Sequence, residues 1–168
     1  MGMINPNSNA SGGLWWNYTK RDKDNFSLKL EGDVVLIETP QTTQYPSNAK
    51  VWMEKHPVSG QWRRVIESEL DPRTKEGDRF PLFDVRLTIA TADDKLVKWQ
   101  FKPGSTKHPS EVIQQIAIAL GHDPKDDFNI TELGGKHVVF STEDGTYGLN
   151  TPRPWHCEIK GEGTHPFQ

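Results

Sequence analysis

Two β-strands joined by a turn are predicted by the sequence FDVRLTIATADDKLVKWQFK, residues 83–102. Apolar and polar residues alternate on both sides of Asp93-Asp94, as they do in strands with one buried face. The paired aspartates favour a tight turn, so we predict a hairpin of strands 80–91 and 95–102. One face of the second strand is largely polar and basic.

Upstream of this hairpin, the sequence predicts one further strand and a short ribbon. Residues 30–39, LEGDVVLIET, contain a β-branched run that follows a turn signal at Gly32-Asp33. Two short apolar segments, 51–53 and 62–66, flank a Pro/Gly turn and predict the ribbon. The charged segment 67–79 is predicted to be a loop.

Downstream, the sequence predicts a helix and two final strands. Residues 109–120 place apolar side chains at helical spacing. Pro109 suits the first helical position and Gly121 suits the end of the helix. Residues 136–141 and 155–160 are predicted strands. The chain is therefore expected to be mainly β, with one helix.

The predicted order is three strands, a helix and two strands, with the ribbon inserted after the first strand. This is the order of the OB-fold, a small partly open barrel that binds single strands or sugars. A mixed α+β domain and a β-sandwich with one helix predict a similar pattern, so both remain alternatives. We expect a five-stranded OB-like barrel over 28–161 with the helix between strands 3 and 4, a flexible N-terminal arm over 1–27 and a C-terminal tail over 162–168.

Composition restricts the class of protein. The 168 residues are 33% hydrophobic with a mean hydropathy of −0.73, which predicts many solvated loops or tails. No segment has the ~20 apolar residues of a membrane helix, and the polar start does not resemble a secretory signal. The single cysteine, Cys157, excludes an internal disulfide framework. We therefore expect a cytoplasmic protein that is not secreted.

Catalytic motifs are weak. The sequence has no P-loop, dinucleotide-binding, nucleophile-elbow or zinc-protease motif. Glu158-Ile159-Lys160 matches the end of a metal-dependent nuclease motif, but no upstream Asp is placed to share a metal. His156-Cys157 lacks the usual spacing of zinc ligands. We expect no enzymatic activity, no metal and no cofactor.

Aromatic and basic residues share the predicted strands in the middle of the chain. Proteins that bind single strands without sequence preference stack bases on aromatic rings and follow the phosphates with cations. The net charge of −3 argues against binding by bulk charge, but it allows a basic groove on one face. The candidate stacking residues are Trp52, Trp62 and Trp99, and the candidate phosphate contacts are Lys55, Arg63, Arg64, Arg86, Lys98 and Lys102.

The aromatic candidates are not equivalent. Trp99 and Phe101 alternate with polar residues, and this favours a core position for both. Trp52 and Trp62 flank a turn and have few apolar neighbours, which favours binding. In the N-terminal arm, Trp15-Trp16 are costly to leave in water. We expect them to dock on protein, either on their own domain or on a neighbouring subunit, with base stacking as the alternative.

The stretch GDVVLIETPQTT, residues 32–43, and the Lys-Val-Trp segment at 50–52 resemble a family of small bacteriophage proteins. These are replication-type proteins of phages that infect actinobacteria. They have an opening G-x-V-V-x-I strand, a Lys-Phe-Trp segment and a later strand of alternating residues, which would be residues 83–88 here. A helix and a Gly-rich hairpin follow in the family, as predicted here for 109–120 and 134–160.

The resemblance implies an OB-like protein that binds single-stranded DNA in phage replication or recombination, in the cytoplasm of the bacterial host. We also expect a homo-oligomer, with replication or recombination proteins as further partners and no membrane. The alternative is a virion structural or assembly protein that uses its Trp-bearing arm for subunit contacts. An inhibitor of host defence is a third class, which the sequence does not address.

Overall fold

The structure, a computed structural model, describes residues 14–19, 24–103, 111–145 and 153–168. They form two compact units. The larger unit runs to Glu38 and continues from Arg86 to Gln168, and the smaller unit is Thr39–Val85. The predicted class, mainly β with one α-helix, is confirmed for the described residues.

The elements follow the predicted order closely. The strands are β1 (Leu14–Trp15), β2 (Lys29–Glu38), β3 (Thr43–Gln44), β4 (Ala49–Lys55), β5 (Trp62–Ile66), β6 (Arg79–Pro81), β7 (Val85–Ala90), β8 (Leu96–Phe101), β9 (Lys136–Thr142) and β10 (Trp155–Glu162). The helix α1 is Val112–Ala119. It contains the apolar face predicted within 109–120, of which residues 109 and 110 lie outside the described residues.

The larger unit is built on a six-stranded sheet in the order β1-β8-β7-β2-β9-β10. Strands β9, β2, β7 and β8 stand in the spatial order 4-1-2-3 of a Greek key, and α1 lies in the long connection between β8 and β9. The predicted barrel is not closed: β1 pairs in parallel with the outer edge of β8, and the described residues show no pairing of β8 with β10.

Strand β2 forms the centre of this sheet because it pairs with two strands in succession. Its first half pairs antiparallel with β9 and its second half with β7. Gly32 lies where the two partners meet, and a Cβ there would stand 2.2 Å from the carbonyl oxygen of Ala90. The turn predicted at Gly32-Asp33 is therefore wrong: both residues lie inside β2, and the glycine allows a close approach of backbone.

The larger unit buries side chains on both faces of its sheet, since the neighbouring residues Ile89 and Ala90 of β7 are both buried. Leu87, Ile89 and Trp99 are buried, as their alternation predicts, and Trp99 is 2% exposed. Ile116 of α1 is also buried, and α1 packs against β10. The core position that the alternation favoured for Trp99 is thus confirmed.

The strand predicted over 80–91 is interrupted and forms two strands, β6 and β7. Strand β6 ends at Pro81, after which the N–H of Leu82 donates to the carbonyl of Val51 and its carbonyl accepts the N–H of Thr42. Residues 82–84 then pair with the segment before β3: the N–H of Asp84 donates to the carbonyl of Pro40, and its carboxylate accepts the Thr42 hydroxyl at 2.6 Å. Phe83, which lies in the interruption, is 47% exposed, so its predicted place in the alternating buried set is wrong.

The smaller unit is a sheet with β4 at its centre. Strand β5 pairs with one side of β4, and β3 and β6 pair with the other. The ribbon predicted at 51–53 and 62–66 is confirmed. In the connecting turn, Nδ1 of His56 accepts the backbone N–H groups of Val58 and Ser59, both at 3.1 Å.

Both ends of the described chain pack on the larger unit. Trp16 is buried against Trp99, and its indole N–H donates to the carbonyl of Ser27 at 2.9 Å. The predicted docking of this aromatic segment on protein is thus confirmed for Trp16. The C-terminal tail is held as well, since the N–H of Gln168 donates to the carbonyl of Val35. Within the described residues, no helix combines the length and apolar character required to span a membrane.

Candidate nucleic-acid interface

The side chains of β4 alternate between two faces of the smaller unit's sheet. Met53 and Lys55 lie on one face, and Trp52 and Glu54 on the other. Directly opposite residues of antiparallel strands share a face. Lys55 is opposite Trp62, and Met53 is opposite Arg64 in β5 and Phe80 in β6.

This register assembles what we call the aromatic–basic face, which consists of Lys55, Trp62, Arg64 and Phe80. The rings of Trp62 and Phe80 lie 5.4 Å apart between centroids, tilted by 49°. Each of these two side chains is 47% exposed. Neither Lys55 nor Arg64 makes an ion pair within the described part of the chain. The face therefore presents two adjacent rings with two cations beside them.

The opposite face has a structural role. The buried carboxylate of Glu54 accepts the Nη2–H of Arg63 at 2.8 Å and the backbone N–H of Asp71 at 2.6 Å. Burial alone would raise the pKa of Glu54, but these hydrogen bonds outweigh it and hold the pKa below its usual range. Arg63 neutralises this buried charge, so we leave it out of the candidate interface.

The two tryptophans predicted to stack bases lie on opposite faces of the same sheet. Trp52 shares its face with Glu54, and Trp62 shares its face with Lys55. The indole nitrogen of Trp52 is buried and has no hydrogen-bond partner among the residues that the structure describes. A ligand on the aromatic–basic face would therefore reach Trp62 but not Trp52.

The remaining predicted residues lie in the larger unit. Trp99 and Lys98 are 2% and 5% exposed, so both side chains are buried rather than presented on an open face. Arg86 donates to the Gln100 side chain at 3.0 Å, pairs with Glu38 at 3.7 Å and lies over the Trp15 ring. Lys102 is exposed just beyond the end of β8.

Sequence reasoning missed Phe80, because the alternation around it assigned the buried role to Phe83. The available signal was the doublet Arg79-Phe80, which pairs a cation with an aromatic ring as Trp62-Arg63 does. Of the nine predicted residues, Lys55, Trp62 and Arg64 are brought together on one face, and Phe80 completes the set.

A second polar cluster lies in the larger unit around the buried Asp33. Its carboxylate accepts Nδ1–H of His137 at 2.7 Å and Nδ1–H of His165 at 2.6 Å. The outer ring nitrogens face Glu31 at 2.9 Å and Asp94 at 3.0 Å. Each histidine therefore bridges two carboxylates, and no ring nitrogen is left for a substrate.

The charges of this cluster stabilise one another. Burial would raise the pKa of Asp33, but hydrogen bonds from His165 and His137 hold it well below its usual range. Hydrogen bonds to Glu31 and Asp33 raise the pKa of His137, and hydrogen bonds to Asp94 and Asp33 raise that of His165. We assign the cluster to fastening the C-terminal tail on the sheet.

The described residues contain no group of three or more His, Cys, Asp or Glu side chains placed to hold a metal ion. No family model matches the chain, and neither the curated proteins nor the solved structures contain a match. The functional assignment therefore depends on the residues themselves.

Proposed function

We propose that this protein binds single-stranded DNA without sequence preference, in phage replication or recombination, through the aromatic–basic face. The observation that carries the proposal is the adjacency of two half-exposed rings, Trp62 and Phe80, on the same face as Lys55 and Arg64. Aromatic rings accept any base, and the cations contact the phosphates that link the bases.

The expected strength of base stacking and the expected salt dependence of phosphate contacts suit this role. Each base stacked on an aromatic side chain contributes ~1–3 kcal/mol. Each phosphate contacted on a single strand adds about −0.7 to the slope of log K against log salt concentration. Binding through two rings and two cations is therefore expected to be moderate in strength, strongly weakened by salt and indifferent to base sequence.

The topology of the larger unit supports an OB-like assignment. A Greek key of four strands, a fifth strand beside the fourth and a helix between the third and fourth are the features of an OB-fold. OB-folds bind oligonucleotides partly through the loop between strands 1 and 2. Here the corresponding connection, between β2 and β7, contains the smaller unit with its aromatic–basic face.

The test is a titration of the protein with a single-stranded oligonucleotide, read by tryptophan fluorescence at low and high salt. A duplex of the same sequence is the control. Quenching by the single strand that is weakened by salt and absent with the duplex is the expected result. Equal quenching by duplex and single strand, or none with either, would reject the proposal.

A second candidate function, assembly into a particle, is favoured by the exposed residues of β1. Leu14 and Trp15 are each 53% exposed on a strand at the edge of the sheet. Edge strands and apolar side chains of this kind pair with neighbouring subunits. Light scattering distinguishes the two functions, because an assembly protein forms large particles without DNA and a DNA-binding protein remains a small oligomer.

A further inference from the structure

A cleft of about 350 Å³ in the larger unit has not been assigned a role. It opens between the end of β8 and the start of β10, near the start of α1. Its wall includes the aromatic residues Tyr18, Phe101 and Trp155. Its volume falls in the range of about 300–1,000 Å³ that is usual for ligand sites.

The cleft is lined by aromatic rings that are already in contact with one another. Trp99 forms the buried floor, with its centroid 4.7 Å from that of Phe101 and 4.9 Å from that of Trp155. Tyr18 extends this set, since its ring lies 5.1 Å from that of Trp155. Tyr18, Phe101 and Trp155 are partly exposed, so a flat ligand in the cleft meets ring surfaces in fixed positions.

The rings are held by Arg153. Its guanidinium lies 5.3 Å from the Tyr18 ring centroid and 5.8 Å from that of Trp155. It also donates to the Thr142 hydroxyl and to the backbone carbonyl of Tyr18, both at 3.0 Å. These bonds fix the aromatic wall before any ligand arrives, which lowers the cost of ordering it on binding.

The charges around the cleft favour an anionic ligand. Among the described residues that line the cleft, Arg153 and the exposed Lys102 carry positive charges, and Glu111 carries a negative charge. A quaternary ammonium ligand also suits an aromatic cage, but the guanidinium in this wall would repel it. A base with a phosphate attached matches both the rings and the positive rim.

We propose that this aromatic cleft receives one base of a bound DNA single strand, with Lys102 contacting the neighbouring phosphate. The inference rests on the proposed function, because it takes the same class of ligand. It adds a binding site on the larger unit to the one on the smaller unit. Tyr18, Phe101 and Trp155 are the residues that contact the base.

The test is photocrosslinking of the full chain to oligothymidylate that carries a 5-iododeoxyuridine, followed by mass spectrometry of the crosslinked peptides. Crosslinks at Tyr18, Phe101 or Trp155 are expected in addition to crosslinks at Trp62 or Phe80. Crosslinks confined to Trp62 or Phe80 would overturn the cleft and retain the proposed function. Crosslinks confined to the cleft would support the cleft as a base-binding site and reject that role for the aromatic–basic face.

Two variants separate binding from folding. Tyr18→Ala removes a ring but retains the carbonyl that Arg153 binds, and is expected to weaken oligothymidylate binding by about 5- to 150-fold. Lys102→Glu changes an exposed side chain and is expected to lower the crosslink yield at the cleft. Lys125→Glu, in an exposed loop after α1, is the charge-matched control. If Lys102→Glu and Lys125→Glu lower the cleft yield equally, the cleft assignment is overturned.

Discussion

The carboxylate of Glu54 is fully buried and is bound by the guanidinium of Arg63, whose side chain is 44% exposed. The next residue, Arg64, lies on the opposite face of the sheet beside Trp62. Two adjacent arginines thus have different roles. One neutralises a buried charge inside the smaller unit, and the other belongs to the face that we assign to DNA.

Alanine substitutions at these two arginines should therefore have different effects. Arg63→Ala leaves a buried carboxylate without its cation and should lower the free energy of unfolding by about 1–3 kcal/mol. Arg64→Ala should leave stability nearly unchanged and weaken single-strand binding, with a smaller dependence on salt. Urea denaturation and binding titrations measure the two effects. Equal loss of stability in both variants would contradict the assignment of faces.

Gly32 should be intolerant of even the smallest side chain. A Cβ at this position meets the carbonyl oxygen of Ala90 and the side chain of Ile89, and the backbone oxygen is held in the sheet. Gly32→Ala should destabilise the protein by about 1–3 kcal/mol. Gly77→Ala is the matched control, because nothing lies within 4 Å of its added Cβ. The urea midpoints of the two variants should differ clearly, and coincident midpoints would refute the close contact.

The stability of the protein should decrease above neutral pH because of the cluster around Asp33. The pKa values of His137 and His165 are raised above 6.5 in the folded state. The two histidines therefore contribute their full stabilisation to the folded state below about pH 6.5. This stabilisation is lost as the pH rises through their pKa values in the folded state. The stabilisation by Asp33 depends on pH in the opposite direction. It is present above the ordinary Asp pKa of 3.8 and is lost as the pH falls through the lowered pKa of Asp33 in the folded state.

The measurement is the melting temperature between about pH 5 and pH 9. The double variant His137→Gln/His165→Asn removes the two groups whose pKa values are raised. The melting temperature of this variant should change less with pH than that of the wild type over this range. An equally steep decline in the double variant would show that other groups are responsible.

The sequence was informative where one local pattern determines the structure. Alternation predicted that β7 and β8 are strands, and helical spacing predicted α1, because these patterns are local. Alternation did not predict that Thr88, Ala90, Leu96 and Lys98, on the faces expected to be polar, are also buried, or that Phe101 is partly exposed. The boundary between β6 and β7 was missed, because residues 82–84 bond to partners far away along the chain, among them Thr42, which donates to Asp84 across 42 residues. Local alternation contains no information about such a partner.

The candidate site was predicted in part for the same reason. The sequence identified Trp62, Lys55 and Arg64 as candidates because they are aromatic or basic residues in predicted strands. The face on which each lies depends on the register between β4 and β5. That register separates Trp52 from Trp62 and brings Phe80 next to Trp62. Asp33 is 104 residues from His137 and 132 residues from His165 in the sequence, so no local motif predicts this cluster.

The central claim is that Trp62 and Phe80 form a platform for bases, and one comparison of affinities tests it most directly. Fluorescence anisotropy measures the binding of a labelled oligothymidylate to Trp62→Ala/Phe80→Ala. Tyr45→Ala/Phe83→Ala serves as the control, since it removes two exposed aromatic side chains of the same unit from outside the aromatic–basic face. The first variant should bind about 30-fold more weakly or worse, and the control should bind like the wild type. Wild-type affinity in Trp62→Ala/Phe80→Ala would contradict the claim.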